Sequence, residues 1–414
     1  LLEAADLFGE AEKASIVFSM GITQHITGTD NVLSLANLAM LTGNVGRPST
    51  GVNPLRGQGN VQGACDMGAL PNVYPGYQSV TDPSVREKFE AAWGVPLPDE
   101  PGLTVVEMMN KAAQGEIKGM YIMGENPMLS DPNINHVEKA LKNLEFLVVQ
   151  DIFMTETAQL ADVVLPSRAA LEKDGTFTNT ERRVQPGKKV VEPHQETRTD
   201  WEIIGLIAEK MGYPLKYDTV WNILSEITKV TPIYRGITPH RVARGLQWPC
   251  PSEDHPGTPY LHKGTFSRGK GLFTPVDFIP PAECPDKEYP FLLSTGRILF
   301  HYHTGTMSRK TEALNAFVNQ GYMEICPHDA GSLDINDNDL VEVRTRRGKI
   351  TVRAKISDRV AQKSVFIPFH FCEAPANRLT NDALDPQAKI PEFKVAACSI
   401  KKVRDDTEQR RGAE

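Results

Sequence analysis

Six cysteines are spread over 414 residues, with no C-x-x-C pair among them. That spacing argues against a disulfide framework and against a zinc site. Cys65, Cys250, Cys284, Cys326, Cys372 and Cys398 therefore read mostly as buried thiols in a reducing compartment, which points to the cytoplasm. Long apolar runs are also missing: none reaches the roughly 20 residues of a membrane helix. The opening stretch LLEAADLFGEAEKAS has helical spacing and not the pattern of a secretory signal, so a soluble chain without a membrane span is expected. Nor is there an excess of positive charge. Lys and Arg number 45 against 52 Asp and Glu, a net charge of -7, which argues against nucleic acid as a partner. The chain begins without methionine and in mid-pattern, and the expectation is that an upstream portion has been lost or excluded. A twin-arginine signal on such a portion would change the compartment to the periplasm.

What is present is alternating strand and helix. The length is too great for one core and implies two to four domains. ASIVFSMG reads as a buried parallel strand entering a turn, and TDNVLSLANLAMLTGN as a helix with Asp30 as its cap and Gly43 at its end. TVVEMMNKAAQGE predicts a helix with a Thr104/Glu107 capping box, followed by the strand GMYIMGENP, the helix NHVEKALKNL and the strands FLVVQD and DVVLPS. Ligands of such sheets bind beyond the carboxyl ends of the strands, which singles out Glu125, Asn126, Ser130, Gln150 and Asp151. DGTFTNTERRVQ predicts short strands or a hairpin, and DWEIIGLIAEKMG and VWNILSEITKV amphipathic helices. WPCPSEDHPGTPYLHKG reads as a linker or surface excursion. PFLLSTG, YMEICP, DLVEVRTRRGKITVRAKISD and SVFIPFHF alternate with period two, with RRG as a hairpin turn, and predict a small antiparallel barrel.

Among candidate sites, the loop VNPLRGQGNVQGACDMG (52–68) is neither a Walker loop nor a dinucleotide fingerprint. Its glycines serve either a structural turn or a backbone that approaches an anion. Arg56 offers a planar fork that matches a carboxylate or phosphate, or else is a solvated charge. Gln58 and Gln62 can bond a heterocycle edge or tie down the loop. GRILFHYHTGTMSR places Arg297, His301, Tyr302 and His303 together after a strand; a metal role for the two histidines needs a third ligand that the sequence does not place nearby. Cys65 and His370 read as packed residues.

Several of these segments recur in order in one family. GITQ, NLAMLTGNVGRP, GVNPLRGQGNVQGACDMGALP, YIMGENP, VVQDIFMTETAQLADVVLPS, DGTFTNTERRVQ, WPC, STGR with its histidines, PANRLTNDALDP and PEFK together resemble the catalytic subunit of metal-dependent formate dehydrogenases. That family lies in the molybdopterin oxidoreductase superfamily. The resemblance covers essentially the whole chain. It implies a molybdenum or tungsten ion held by two molybdopterin guanine dinucleotides, and two-electron oxidation of formate to carbon dioxide or the reverse. It also implies four parts: 1–57, the end of an α/β cofactor-binding domain; 58–168, a second α/β domain; 169–268, a small α+β segment and linker; and 269–414, a β-barrel that binds the dinucleotide. By resemblance, Arg56 orients formate. Gly21, Gln24, Gly57 and Gln58 contact pterin or nucleotide, and Asn126, Ser130 and Gln150 a guanosine moiety. Arg297, His301, Tyr302, Asn377, Phe393 and Lys394 contact cofactor in the barrel, and His301 is a pterin neighbour and not a metal ligand. The family's metal-binding Cys or selenocysteine, its adjacent histidine and its iron–sulfur ligands have no counterpart here and are expected upstream of Leu1, so the isolated segment is expected to be inactive. Electron-transfer subunits are expected partners. Two alternatives remain: a redox-silent scaffold resembling the large subunit of NADH dehydrogenases, and a molybdopterin reductase for another substrate such as nitrate.

Overall fold

The computed structural model describes residues 1–194 and 196–403; the last part of the expected barrel segment, 404–414, lies outside the described residues. Near the start, the strands Ser15–Phe18 and Gly51–Pro54 pair in parallel, joined through the helix Gly28–Leu41. The strand Ser15–Phe18 is not buried as its apolar run predicts: Val17 is 60% exposed. A run of apolar residues implies burial only when both faces of a sheet are covered, and this sheet has two strands. Asp30 is also not the cap of its helix. The N-cap is Thr27, and Asp30 sits in the first turn, where its charge still complements the helix dipole. Gly43, at φ +67°, ends the helix as expected.

A second α/β unit is built on the parallel strands Gly119–Met123, Phe146–Asp151 and Val163–Pro166, in that spatial order. The helix Val105–Ala113 begins at Thr104, whose hydroxyl and backbone N–H both donate to the Glu107 carboxylate, at 2.8 and 2.9 Å. It packs with the helix Ile134–Lys142 over Leu147, Val149 and Ile122. Burying that apolar layer is the main drive for the unit. The strands Gly175–Thr178 and Arg183–Gly187 form the predicted antiparallel hairpin, and Leu246–Gln247 adds a third strand. The passage after it is no free linker. Arg182 Nη2 donates to Thr258 O at 3.1 Å, Cys250 is buried, and Trp248 Nε1 reaches back to Asp66 at 2.7 Å. Proline and glycine content marks irregular backbone, but side chains from elsewhere can still fasten it.

The last part is a closed six-stranded barrel. Its strands are Phe291–Gly296, Tyr322–Ile325, Leu340–Arg344, Lys349–Ile356, Ser364–Pro368 and Ala396–Lys402, and Leu293, Met323, Ile325, Val341, Val343 and Ile367 fill its interior. The barrel is mixed and not purely antiparallel. Phe291–Gly296 runs parallel to Ser364–Pro368, and Tyr322–Ile325 parallel to Lys349–Ile356. Alternation of period two reports which side chains face inward but is blind to strand direction, which the long crossovers set. Closure removes the sheet edges. The RRG turn does join Leu340–Arg344 to Lys349–Ile356 as a hairpin. Side chains lock the barrel onto the earlier units: Asn377 Nδ2 donates to Leu129 O and Ser130 O at 2.9 and 3.0 Å, and Asp385 accepts from the backbone and hydroxyl of Thr29.

Among the cysteines, Cys250, Cys326 and Cys398 are buried, Cys65 is partly buried, and Cys284 and Cys372 are exposed. Half of the thiols, and not most, are therefore interior. Among the described residues no helix is long and apolar enough to cross a membrane.

Candidate functional site

The carboxyl ends of the parallel strands, the glycine loop and the barrel rim converge on a cleft. A cavity of about 340 Å³ opens there, lined among others by Gln58, Asn126, Asp151, Arg168, Tyr302 and His303. A smaller cavity of about 30 Å³ lies beside it, lined by Gln24, Ser130, Arg297, Asn377 and Phe393, with Thr295, His303 and Phe369. Five of the residues picked from the sequence, 24 to 393 in the chain, thus share one small chamber. His303 lines both cavities. The fold brings these residues together because strand ends in the α/β unit meet loops on one end of the barrel.

The glycine loop is held at both sides. Arg56 N–H donates to Thr180 Oγ1 at 3.1 Å, and Gly59 N–H donates to Tyr302 OH at 2.9 Å, so the loop is tied to the hairpin and to the barrel rim. From Val61 to Asp66 it becomes a short helix. Arg56 is exposed, and its Nε donates to Gln62 Oε1 at 3.2 Å. A Cβ built at Gly21, Gly57 or Gly59 would meet nothing within 4 Å, and none of the three has a positive φ. Neither internal packing nor backbone conformation therefore requires glycine at these positions.

The strand-end amides are already engaged. Asn126 is buried; its Oδ1 accepts from the hydroxyl of Thr157 at 2.7 Å, and its Nδ2 donates to Glu156 at 2.8 Å and to Thr306 on the barrel side at 3.3 Å. Gln150 is fully buried, accepts from Tyr121 OH and donates to Asp200 at 2.7 Å. Ser130 Oγ donates to Glu125 at 2.5 Å. These groups brace the cleft, and Gln150 lies behind it without lining either cavity.

In the barrel, His301 is buried, and both ring nitrogens are used. Val318 O lies 2.6 Å from Nε2, and a carbonyl only accepts, so Nε2 carries the proton. Nδ1 then accepts from Ser308 Oγ at 3.3 Å. That arrangement leaves no lone pair for a metal. Among the described residues no group of three His, Cys, Asp or Glu is placed to hold a metal ion. His370 is fully buried, accepts from Ile298 N–H at 2.8 Å through Nε2, and is pushed down to about 4 chiefly by burial, so it stays neutral.

Arg297 lines the smaller cavity, and Lys394 is a partly desolvated cation within its electrostatic reach. Burial first, and the neighbouring Arg297 second, push the Lys394 ammonium down to about 8. Among the described residues neither cation pairs with a carboxylate. Lys394 Nζ donates to Thr295 O at 2.6 Å, and the Arg297 guanidinium lies 5.1 Å from the centre of the Phe369 ring. Two partly desolvated cations side by side favour an anion between them.

Several participants carried no signal as ligand-side residues in the sequence. Thr295 and Phe369 read only as strand or barrel positions. His303 reads as part of a polar cluster with Arg297, His301 and Tyr302 after a strand, with no ligand-side role of its own, and its φ of +48° places it in the left-handed region that a non-glycine residue rarely adopts. Asp66, which is fully buried, accepts from Gln62, Tyr77, Tyr234 and Trp248, a convergence that no local pattern displays.

Comparison with known proteins finds matches in the α/β part and in the barrel. Residues 5–210 match the family described as Molybdopterin oxidoreductase, and residues 291–397 the Molydopterin dinucleotide binding domain. The chain is 55% identical to the F420-dependent formate dehydrogenase subunit alpha of Methanocaldococcus jannaschii, over 97% of this chain and 60% of that protein. It is 43% identical to formate dehydrogenase H of Escherichia coli, over 97% of this chain and 58% of that one. It thus spans about three fifths of these relatives. Acetylene hydratase from Pelobacter acetylenicus shares the fold, with a TM-score of 0.69 at 18% identity over 97% of this chain and 62% of that one. With its α/β part and its barrel each matching a member domain, the chain belongs to the molybdopterin oxidoreductase family.

Proposed function

We propose that the complete protein interconverts formate and carbon dioxide, and that this chain supplies the formate-orienting Arg56 and much of the seat for two molybdopterin guanine dinucleotides. The observation that carries this reading is the loop at 56–59: an exposed guanidinium beside glycines whose lack of a side chain serves nothing inside the chain. A ligand lying against bare backbone accounts for it. Formate has no side chain to recognise, so a charge-assisted contact to its two oxygens is the main handle available. The names of the relatives support the substrate: both proteins are formate dehydrogenases.

The residues present fit the dinucleotide group. Arg297 and its neighbouring cation Lys394, neither paired with a carboxylate among the described residues, suit a pyrophosphate; Gln24, Asn377 and Phe393 line the small cavity with Arg297, and Tyr302 lines the larger one. Ser130 borders that space, while Asn126 and Gln150 support the guanosine side from the strand ends. When bound, the pterin-held molybdenum or tungsten supplies the two-electron redox chemistry. Around it, Arg56 binds and orients the carboxylate. The loop backbone and barrel rim enclose the cofactor, and the buried network behind the loop limits movement. Formate gives up two electrons and one proton in becoming carbon dioxide. The metal-ligating residue, an iron–sulfur cluster and electron-transfer subunits are expected from outside this chain, in a cytoplasmic or periplasmic setting.

The test uses the full-length native protein. Elemental analysis together with fluorescence of the oxidised pterin is expected to find molybdenum or tungsten and pterin, with formate-dependent reduction of an artificial dye. A protein free of metal and pterin would overturn the reading in favour of a redox-silent scaffold.

A further inference from the structure

We propose that Asp66 is a positioning residue that fixes the Arg56 guanidinium through Gln62, and so selects one edge of that guanidinium for the carboxylate; the inference rests on the reading of Arg56 as the formate-binding group. Asp66 is fully buried and takes four donors from well-separated parts of the chain. Oδ1 accepts from Gln62 Nε2 and from Tyr77 OH, each at 2.8 Å, and Oδ2 from Tyr234 OH at 2.5 Å and Trp248 Nε1 at 2.7 Å. Burial, reinforced by the Asp66 charge, drives the Tyr77 and Tyr234 phenols well above their ordinary range, so both remain protonated donors.

A carboxylate offers only acceptors here, and this decides which way the Gln62 amide faces. Its NH2 must point to Asp66 and to Tyr77 OH, 2.9 Å away. Its oxygen is then left for Arg56 Nε at 3.2 Å. With the donor on Nε spent and the Arg56 backbone anchored on Thr180, among the described residues only the two terminal NH2 groups have no protein partner. A guanidinium grips a carboxylate either through Nε and one NH2 or through both NH2 groups. The first mode is closed, so formate is received end-on.

The test is made in the complete enzyme. Gln62→Leu keeps the size of the side chain and leaves Asp66 three donors, so the fold is retained. Formate kcat/KM is expected to fall about tenfold, the scale of one hydrogen bond to a charged group. The same substitution made in Arg56→Ala is expected to cost nothing further, because coupled residues are not additive. A crystal structure of Gln62→Leu is expected to show the guanidinium displaced. Asp66→Asn, whose amide can turn Gln62 around, is expected to act in the same direction; should it fail to fold, Gln62→Leu carries the test alone. An unmoved guanidinium with unchanged kcat/KM in Gln62→Leu, or an equal loss in both backgrounds, overturns the positioning role even where Arg56→Ala is damaging. If instead Arg56→Ala leaves formate turnover intact, the formate reading fails, and displacement of the guanidinium in the crystal alone decides whether Asp66 and Gln62 hold it.

Discussion

Lys394 has its protonated form disfavoured by burial and by Arg297, with its value lowered to about 8. The unfolded chain therefore holds its proton to higher pH than the folded one. The cost of carrying that charge is fully present below about 8 and is relieved as pH rises from there toward the ordinary lysine value, so stability contributed by this group rises across that window. An anion reverses the preference by stabilising the charged form. Binding of GDP, as a pyrophosphate probe, is expected to weaken as pH rises through about 8 in calorimetry, and Lys394→Met to lose both affinity and that pH dependence; equal affinity on both sides of pH 8 in the native protein would contradict the assignment. At this scale the sequence revealed residue types but not their company. Arg56 was legible as a fork in a glycine loop. Asp66 was not, because its four donors lie between 4 and 182 residues away in the chain.

Elements were legible wherever a local rule fixed them. The Thr104/Glu107 box is spelled out within four residues, and its bonds are present as read. Thr104→Ala is expected to cost about 1 kcal/mol, measured by urea unfolding of the purified chain. In the barrel, Leu293 is 1% exposed among Met323, Val341 and Ile367. Leu293→Ala is expected to cost about 2–5 kcal/mol by the same measurement, since the cavity it leaves cannot fully close. In the barrel and in the passage after Trp248, the missing information was non-local. The alternating pattern of YMEICP and SVFIPFHF gave inward and outward faces correctly but could not give direction, and two of the barrel pairings are parallel. The passage after Trp248 looked like a linker because its anchors, Arg182 and Asp66, are remote in sequence.

At the scale of the whole molecule, the cleft exists because the barrel docks on the ends of the parallel strands. Asn377 makes two of the bonds that hold this junction, to the carbonyls of Leu129 and Ser130. Asn377→Ala strands two carbonyls at a buried contact and is expected to destabilise the chain by about 2 kcal/mol, with loosened cofactor retention during gel filtration of the holoenzyme. Along the chain, two parallel α/β units are followed by an antiparallel hairpin with helices and then a barrel. What could not be read was the pairing of the glycine loop with Tyr302, which spans 243 residues and seats the loop on the barrel rim. The central claim is that Arg56 receives formate at a cofactor seated by this cleft. It is tested most directly by formate-dependent dye reduction in the full-length Arg56→Ala enzyme, with metal and pterin content measured on the same preparation. The account predicts a fall in kcat/KM of about 100-fold, the scale of a paired charge-assisted contact, at unchanged metal and pterin content. Formate turnover equal to that of the native enzyme would contradict it.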